Sequence, residues 1–176
     1  MHGPQASDAG GCSADDLGAI EKQLGREPRG VVNIAYRCPC GQPCVVTTAP
    51  RLDDGTPFPT MYYVTCPRLT SAIGGIEGAG RMRDMENRLK DDDDLRDQYR
   101  RAHERYLVER ARLGEATEID GISAGGMPTR VKCLHVLVGQ SLASGRGVNP
   151  FGDEALDEVG SWWLPRSCAD DDGQTP

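Results

Sequence analysis

The sequence of 176 residues lacks a long apolar segment, a basic leader and a basic stripe. Its longest apolar run, CLHVLVG at 133–139, is far too short to cross a bilayer, which takes about 20 residues. Because no basic start is followed by an apolar segment, we predict no signal peptide. The formal net charge is −7 and the central arginines are interleaved with acids. The sequence therefore predicts a cytoplasmic protein with no membrane span and no nucleic-acid partner.

Seven cysteines are present. Without a secretory signal, they indicate thiols that stay reduced rather than a disulfide framework. Cys12 and Cys168 fall in segments that we predict to be tails, and we discount both as site residues. A metal site, a redox pair and small buried thiols all remain open for the other five, which are Cys38, Cys40, Cys44, Cys66 and Cys133.

Composition divides the chain into one domain and two tails. Residues 1–14 are rich in Gly, Ser, Ala and Asp, and the chain ends in CADDDGQTP. Neither end has apolar periodicity, which is typical of disorder. We therefore predict a disordered N-terminal tail at 1–14, a single domain at 15–160 and an acidic C-terminal tail at 161–176. A domain of this length can bury a core without disulfides.

Strand patterns precede helix patterns along the domain. After a short helix that begins behind Ser13, strands are predicted at 31–37, 44–49 and 61–65, with CPCGQP as a hairpin tip. Helices are predicted from Pro67, over the charged segment 91–113 and from Pro128 to about residue 143, followed by a closing loop at 145–153. This order predicts an α+β fold: a small, mostly antiparallel sheet in the N-terminal half, packed with three or four helices, one of them long and charged.

Four stretches in this order resemble a known bacterial family: RCPCGQP, DGTPFPTMYYVTCP, GISAGGMPTRVKCLH and GVNPFGDEAL. The family is the domain of unknown function numbered five hundred and one, and the likeness spans about residues 29–157. It implies a cytoplasmic protein without an assigned activity. Its members are often encoded near a septum-formation initiator and a phosphatase of the exopolyphosphatase type. The resemblance further implies that four positions recur in the family, namely Cys38, Cys66, Cys133 and His135.

These four side chains form a candidate metal site. Thiolates and one imidazole suit a closed tetrahedral zinc site. Three cysteines could equally hold an iron–sulfur cluster, with His135 or Cys40 as the fourth ligand. Residues two apart on a regular helix point about 200° apart, so Cys133 and His135 can share a metal only if the helix is distorted or begins after Lys132. The alternative is that the thiols are simply buried and His135 hydrogen-bonds within the core.

Cys66 has a catalytic interpretation as well. It directly precedes Pro67 and is thus predicted near the N-cap of a helix, where backbone amides lower the pKa of a thiol. With His135 as its base, Cys66 could act as a nucleophile.

The glycine-rich stretch SAGGMPTR is the second candidate site. Glycines allow backbone amides to turn towards an anion, and a helix that begins at Pro128 would add its positive end. The predicted anion-binding residues are Ser123, Gly125, Gly126, Arg130 and Lys132, and the ligand is a phosphate-bearing small molecule. The alternative is a structural turn at a helix entry. His103 is predicted on the surface of the long helix.

Three functions from different classes fit these patterns. The first is an uncharacterised protein with a Cys/His site for zinc or an iron–sulfur cluster beside an anion-binding loop. The second is a hydrolase or transferase that acts on a phosphorylated small molecule. The third is an adaptor in cell-envelope or division control, with the helix at 91–113 as its protein-binding surface. An enzyme predicts a concave pocket where the glycine loop and the cysteines meet, whereas an adaptor predicts an exposed apolar patch.

Overall fold

The computed structural model describes residues 11–168 and confirms the α+β class. Within these residues, six α-helices pack with one antiparallel sheet of three strands in the order β1-β2-β3. The elements are α1 (Ala14–Leu24), β1 (Val31–Arg37), β2 (Pro43–Thr48), β3 (Tyr62–Val64), α2 (Pro67–Gly78), α3 (Arg81–Asp91), α4 (Asp93–Ala111), α5 (Leu134–Ser144) and α6 (Pro150–Val159).

Local signals account for where the first four helices begin. Ser13 and Asp16 form a reciprocal capping box at α1. Pro67 occupies the first turn of α2, where its missing amide proton has no cost. Gly80, at φ 80°, separates α2 from α3. The Asp92 side chain accepts the Leu95 amide at the start of α4, as the aspartate run indicates.

The last two helices differ from the prediction. Helix α5 begins at Leu134 and not at Pro128, because the preceding residues form a closed turn. In this turn Arg130 N donates to Gly126 O and Lys132 N to Gly125 O, each at 2.8 Å. The predicted closing loop also contains the start of α6. There the Asn149 side chain accepts two backbone amides, and this cap is a helix signal that we missed.

The sheet is covered on both faces. Ile20 of α1 packs with Ile34 and Val46 on one face. On the other face Val45 and Val64 join the main core, to which α2 to α6 contribute. Strand β2 is buried along its whole length. The hairpin tip and the start of α2 both contribute residues to the same core.

The segment after α6 belongs to the folded domain and extends it beyond the predicted boundary at 160. Trp162 and Trp163 pack against the main core. The Arg68 guanidinium donates to the carbonyls of Leu164 and Arg166. Cys168 is only 8% exposed. The remainder of the two predicted tails, 1–10 and 169–176, lies outside the described residues.

Arg110, at the end of α4, gives a first testable prediction. It is buried, and its guanidinium donates to the carbonyls of Pro59, Ile119 and Ile122 at 3.0, 2.8 and 2.6 Å. Arg110→Met leaves these carbonyls without that donor, and each unsatisfied buried group costs about 1–3 kcal/mol. We expect the free energy of unfolding in urea to fall by about 3 kcal/mol.

Arg101→Met is the matched control for Arg110→Met. Arg101 is 60% exposed and pairs with Asp97 at 2.8 Å, one turn away on α4. Such a surface pair contributes less than about 1 kcal/mol. Equal urea midpoints for the two variants would contradict the role of Arg110 as a buried clamp.

Two candidate cysteine sites

Three cysteines from distant parts of the chain meet in one buried thiol cluster. Cys38 follows β1, Cys66 is the N-cap of α2, and Cys168 ends the described chain. Their sulfur atoms all lie within 4.8 Å of one another, and the Cys38 and Cys168 sulfurs are 3.6 Å apart. The three residues are 3%, 0% and 8% exposed. All are free thiols. Cys168, which we had discounted, thus joins two of the predicted ligands.

The hairpin tip places a fourth thiol beside the cluster, outside the group of sulfurs that all lie within 4.8 Å of one another. Gly41, at φ 90°, closes a tight turn in which its amide donates to Cys38 O at 2.8 Å. In this turn Cys40 is half-buried beside the cluster; burial raises the pKa of its thiol, but the Gln42 amide and the thiols of Cys38 and Cys168 lower it. Cys44 is buried in β2 and is a neighbour of Cys66 instead. The predicted hairpin tip is therefore confirmed, and its thiols face one shared interior.

As neutral thiols, the three members of the buried thiol cluster resist ionisation. The hydrogen bond with Cys66, followed by burial, raises the pKa of Cys38. Burial, followed by the charge of Cys66, raises the pKa of Cys168. For Cys66 the bond with Cys38 lowers the pKa, but the contact with Cys44 and burial outweigh it, so the net shift is upward. A bound cation would reverse this balance, because coordination deprotonates a thiol.

The predicted Cys66–His135 nucleophile pair does not form. Cys66 is the N-cap of α2, as predicted, but it is completely buried among other thiols and its pKa is raised. His135 lies in a different cluster with Glu77 and Cys133. The bond with Cys38 and the Leu69 amide lower the pKa of Cys66, but the Cys44 thiol and burial outweigh them, so the helix amides do not activate this thiol.

The second cluster consists of Glu77, Cys133 and His135, and we call it the Glu77–Cys133–His135 cluster. Its ligand atoms also lie within 4.8 Å of one another. His135 Nδ1 is 3.2 Å from Glu77 Oε1 and 4.0 Å from the Cys133 sulfur, and His135 Nε2 is 3.2 Å from the carbonyl of Thr70. The single predicted site of Cys38, Cys66, Cys133 and His135 is therefore divided into two.

The convergence of Cys133 and His135 follows from where α5 begins. Cys133 is extended, at φ −154° and ψ 109°, and the helix starts at the next residue. The chain thus changes direction between the two side chains, so the opposition expected within a regular helix does not apply. The condition derived from the sequence, a helix that begins after Lys132, is met.

The Glu77–Cys133–His135 cluster favours the charged forms of its histidine and cysteine, whereas the buried thiol cluster favours neutral thiols. The hydrogen bond with Cys133, and then the charge of Glu77, raise the pKa of His135 to about 9 against the opposing effect of burial. Burial alone would raise the pKa of Cys133, but His135 and the Val136 amide outweigh it and the net shift is downward. The two clusters therefore differ in the chemistry that they can support.

At the glycine loop, one of the predicted anion-binding side chains is already paired within the protein. The Glu86 carboxylate already accepts Arg130 Nε at 2.8 Å and the Val131 amide at 3.0 Å. Lys132 is exposed. The helix that was predicted to direct its positive end at the anion begins at Leu134, two residues after Lys132, and not at Pro128. The protein's own carboxylate thus engages Arg130, one of the five residues assigned to a phosphate. Gly125 and Gly126 instead serve the tight turn, at φ 68° and 93°.

Two other residues of this region pair with each other. Ser123 is buried, and its hydroxyl lies 2.8 Å from Nδ1 of His103. His103 is therefore a half-buried partner of the loop and not a free residue of the helix surface, and burial lowers its pKa. The contact ties α4 to the glycine loop, which favours a structural role for Ser123.

A groove lies on the α1 side of the sheet, away from both clusters. Its lining includes Leu24, Val46, Phe58 and Tyr63, and no residue of either cluster. The groove thus does not join the glycine loop to the cysteines, as the enzyme hypothesis requires. Along residues 11–168, no helix combines the length and apolarity needed to cross a bilayer.

Comparison with known proteins identifies a family and nothing more specific. No curated protein and no solved structure matches the chain. A family model described as "Protein of unknown function (DUF501)" matches residues 34–157. The matched region contains Cys38, Cys66 and the whole Glu77–Cys133–His135 cluster, whereas Cys168 lies beyond it. Because the match covers most of the chain and agrees with the resemblance of its four motifs, the protein belongs to the DUF501 family.

Proposed function

We propose that the protein binds one thiophilic metal ion, preferably zinc, in the buried thiol cluster. Cys38, Cys66 and Cys168 are the first three ligands and Cys40 is the fourth. The observation that carries the proposal is the meeting of three buried free sulfurs, all within 4.8 Å of one another, from segments up to 130 residues apart. Four thiolates make a closed tetrahedral site, which is typical of structural zinc.

The spacing of the sulfurs supports a single ion. Two ligands of a tetrahedral ion at ~2.3 Å are about 3.8 Å apart. The Cys38–Cys168 separation is 3.6 Å, close to this value and far from the ~2.05 Å of a disulfide. An iron–sulfur cluster fits less well, because it binds its cysteines through different irons and so spreads their sulfurs further apart.

Cys40 fits the fourth position better than Cys44. It lies beside two of the three cluster members, since the thiols of Cys38 and Cys168 both act on the pKa of its own thiol, whereas Cys44 acts on Cys66. Burial raises the pKa of Cys40, but the Gln42 amide and the Cys38 thiol lower it by more, so the net shift is downward. An amide that donates to sulfur stabilises the thiolate form that a metal requires.

A metal in this cluster has a structural role in the proposal. It joins the hairpin tip, the start of α2 and the C-terminal segment, which are held together otherwise by a three-stranded sheet and a small core. The Arg68 bonds to Leu164 and Arg166 hold the same C-terminal segment in place. Thiolates kept for a metal agree with a reducing compartment, so the proposal includes a cytoplasmic location.

The other two functions have less support. The phosphate-directed enzyme depends on a loop whose Arg130 and Val131 donors are bonded to Glu86. The adaptor depends on an apolar surface along α4, but that helix exposes mainly ion pairs such as Arg100–Glu104. Val108, at 56% exposure, is an isolated apolar side chain on it.

Elemental analysis of protein purified without oxygen tests the proposal. We expect Cys168→Ser to lose the metal ion of the buried thiol cluster, because a serine hydroxyl is a poor ligand for a thiophilic ion. Cys12→Ser is the matched control, since Cys12 packs with the separate Ile20 group beside α1. It should retain the full metal content of the parent.

Two outcomes would overturn the assignment of this site. One is a parent protein whose metal content is the same as that of Cys168→Ser. The other is equal loss in Cys168→Ser and Cys12→Ser, which would indicate unspecific binding by thiols. Mass measurement of the intact chains under non-reducing conditions separates both from a disulfide, because a disulfide lowers the mass by two hydrogens.

A further inference from the structure

We propose that Glu77, Cys133 and His135 form a second metal site, of the open type. It takes one borderline divalent cation, such as Zn²⁺ or Co²⁺, through one oxygen, one sulfur and one nitrogen. A fourth position stays available to an outside ligand. This site is separate from the buried thiol cluster and does not depend on the proposal made for it.

The hydrogen bonds of His135 decide which nitrogen is available to a cation. Nε2 faces the carbonyl of Thr70 at 3.2 Å, and a carbonyl only accepts. Nε2 therefore carries a proton in either state of the ring. The other nitrogen, Nδ1, faces Glu77 Oε1 at 3.2 Å and the Cys133 sulfur at 4.0 Å, and the proton that it carries in its ion pair with Glu77 is the one that a cation would displace.

This arrangement requires a positive charge in its centre. Without a proton on Nδ1, the carboxylate oxygen and the imidazole lone pair would repel each other at 3.2 Å, and a thiolate would add to the repulsion. Only a proton or a metal ion can reconcile the three groups. Ligands of a tetrahedral ion at ~2.0–2.3 Å are about 3.3–3.8 Å apart, and the observed separations approach this range.

Backbone contacts hold the ligands as they do around known metal sites. A metal-ligating histidine donates its other N–H to a carbonyl or carboxylate, which fixes the ring. Thr70 provides this carbonyl for His135. Glu77 Oε1 accepts the Leu134 amide at 2.7 Å, which fixes the carboxylate at the start of α5. Two helices, α2 and α5, therefore position the site without any flexible segment.

Exposure distinguishes this site from the buried thiol cluster. The side chains of His135 and Glu77 are 27% and 22% exposed, and Cys133 is half-buried. Water or a small anion can thus reach the centre of the triad. Three protein ligands with one open position are typical of catalytic zinc, whereas closed four-ligand sites are structural. The mixture of oxygen, nitrogen and sulfur donors favours zinc over magnesium or calcium.

The test counts metal ions on the reduced full-length protein by equilibrium dialysis against Zn²⁺ and by elemental analysis. If both sites bind, the parent holds two equivalents. His135→Ala removes a ligand and should weaken the second equivalent by more than about 100-fold, since loss of even an outer-shell partner costs 10–100-fold. In the same dialysis with Co²⁺, the parent should show thiolate-to-cobalt absorption from both sites. His135→Ala should show it from the buried thiol cluster alone.

His103→Ala is the matched control. His103 is also half-buried, but its ring contacts Ser123 on another part of the molecule. It should keep both equivalents. Cys168→Ser should keep the equivalent bound by the Glu77–Cys133–His135 cluster, so the failure of one site can be told from the failure of the other.

Two results would overturn the second site. In the first, His135→Ala binds the same number of ions as the parent with unchanged affinity. In the second, the parent lacks the equivalent that His135→Ala should remove, and nitrogen NMR shows both ring nitrogens of His135 protonated at neutral pH in the presence of Zn²⁺. The triad would then be a thiolate–imidazolium pair held by a proton.

Discussion

Cys66→Ser is expected to release the metal ion of the buried thiol cluster and to lower the melting temperature of the protein. Cys66 is 0% exposed, and its sulfur lies within 4.8 Å of those of Cys38 and Cys168. We expect a stability loss on the order of 5 kcal/mol. This is less than the roughly 10–16 kcal/mol gained by zinc-finger peptides, because this chain also has an apolar core.

The melting temperature of Cys66→Ser in metal-free protein separates the loss of a metal from a packing defect. Serine is a better N-cap residue than cysteine, and residue 66 is the N-cap of α2 without a side-chain bond to it. In metal-free protein, Cys66→Ser should therefore melt close to the parent. A chelator that competes for zinc should lower the melting temperature of the parent and leave that of the variant unchanged.

Cys12→Ser again serves as the control and should respond to the chelator as the parent does. If the parent ignores the chelator and Cys66→Ser melts at the parental temperature, the cluster consists only of buried thiols. If Cys66→Ser melts far lower than the parent in chelator as well, its effect is a packing defect and not the loss of a metal.

Gly152→Ala is expected to destabilise the protein strongly. A Cβ at Gly152 would overlap the carbonyl oxygen of Leu137 and the hydroxyl of Ser141 on the facing helix α5. The facing atoms include backbone, so they cannot move away as a flexible side chain would. Overpacking of this kind costs about 1–3 kcal/mol and occasionally more, and we expect the upper end.

Gly74→Ala is the matched control for Gly152→Ala. Gly74 lies within α2, and a Cβ there would have no neighbour within 4 Å. Alanine is the better helix former by about 1 kcal/mol, so this variant should gain stability. Urea unfolding should thus show shifts of opposite sign. A Gly152→Ala variant at least as stable as the parent would contradict the close packing of α5 on α6.

Features that depend on neighbouring residues were predictable from the sequence. The capping box at Ser13, the proline at the start of α2 and the hairpin tip are encoded within a few positions. The start of α5 was not, because a proline that follows two glycines also suits a closed turn. There Lys132 and Arg130 return to the glycine carbonyls, and local sequence does not distinguish the two.

The composition of the candidate sites was only partly predictable. Cys38, Cys66, Cys133 and His135 all belong to a cluster, but nothing in their spacing separates them into two. Partners from far along the chain decide the division. Cys168 was hidden by a charged, tail-like sequence, although the tryptophan pair at 162–163 was a signal of packing.

No local sequence signal indicated the roles of the Glu77 and Glu86 carboxylates. Glu77 lies among glycines that indicate a weak helix, and Glu86 lies among the charges of α3. Each acts at a loop or helix start more than 40 residues away, where it accepts a backbone amide. Such pairings depend on how the helices pack, which periodicity alone does not specify.

X-ray absorption at the zinc edge is the sharpest test of a four-thiolate zinc site in the buried thiol cluster. The sample is the His135→Ala variant, purified without oxygen and loaded with one equivalent of Zn²⁺, so that only the buried thiol cluster is occupied. We expect a first shell of four sulfurs at ~2.3 Å, from Cys38, Cys40, Cys66 and Cys168. A shell dominated by nitrogen or oxygen, or a variant that does not retain the ion through gel filtration, would contradict it.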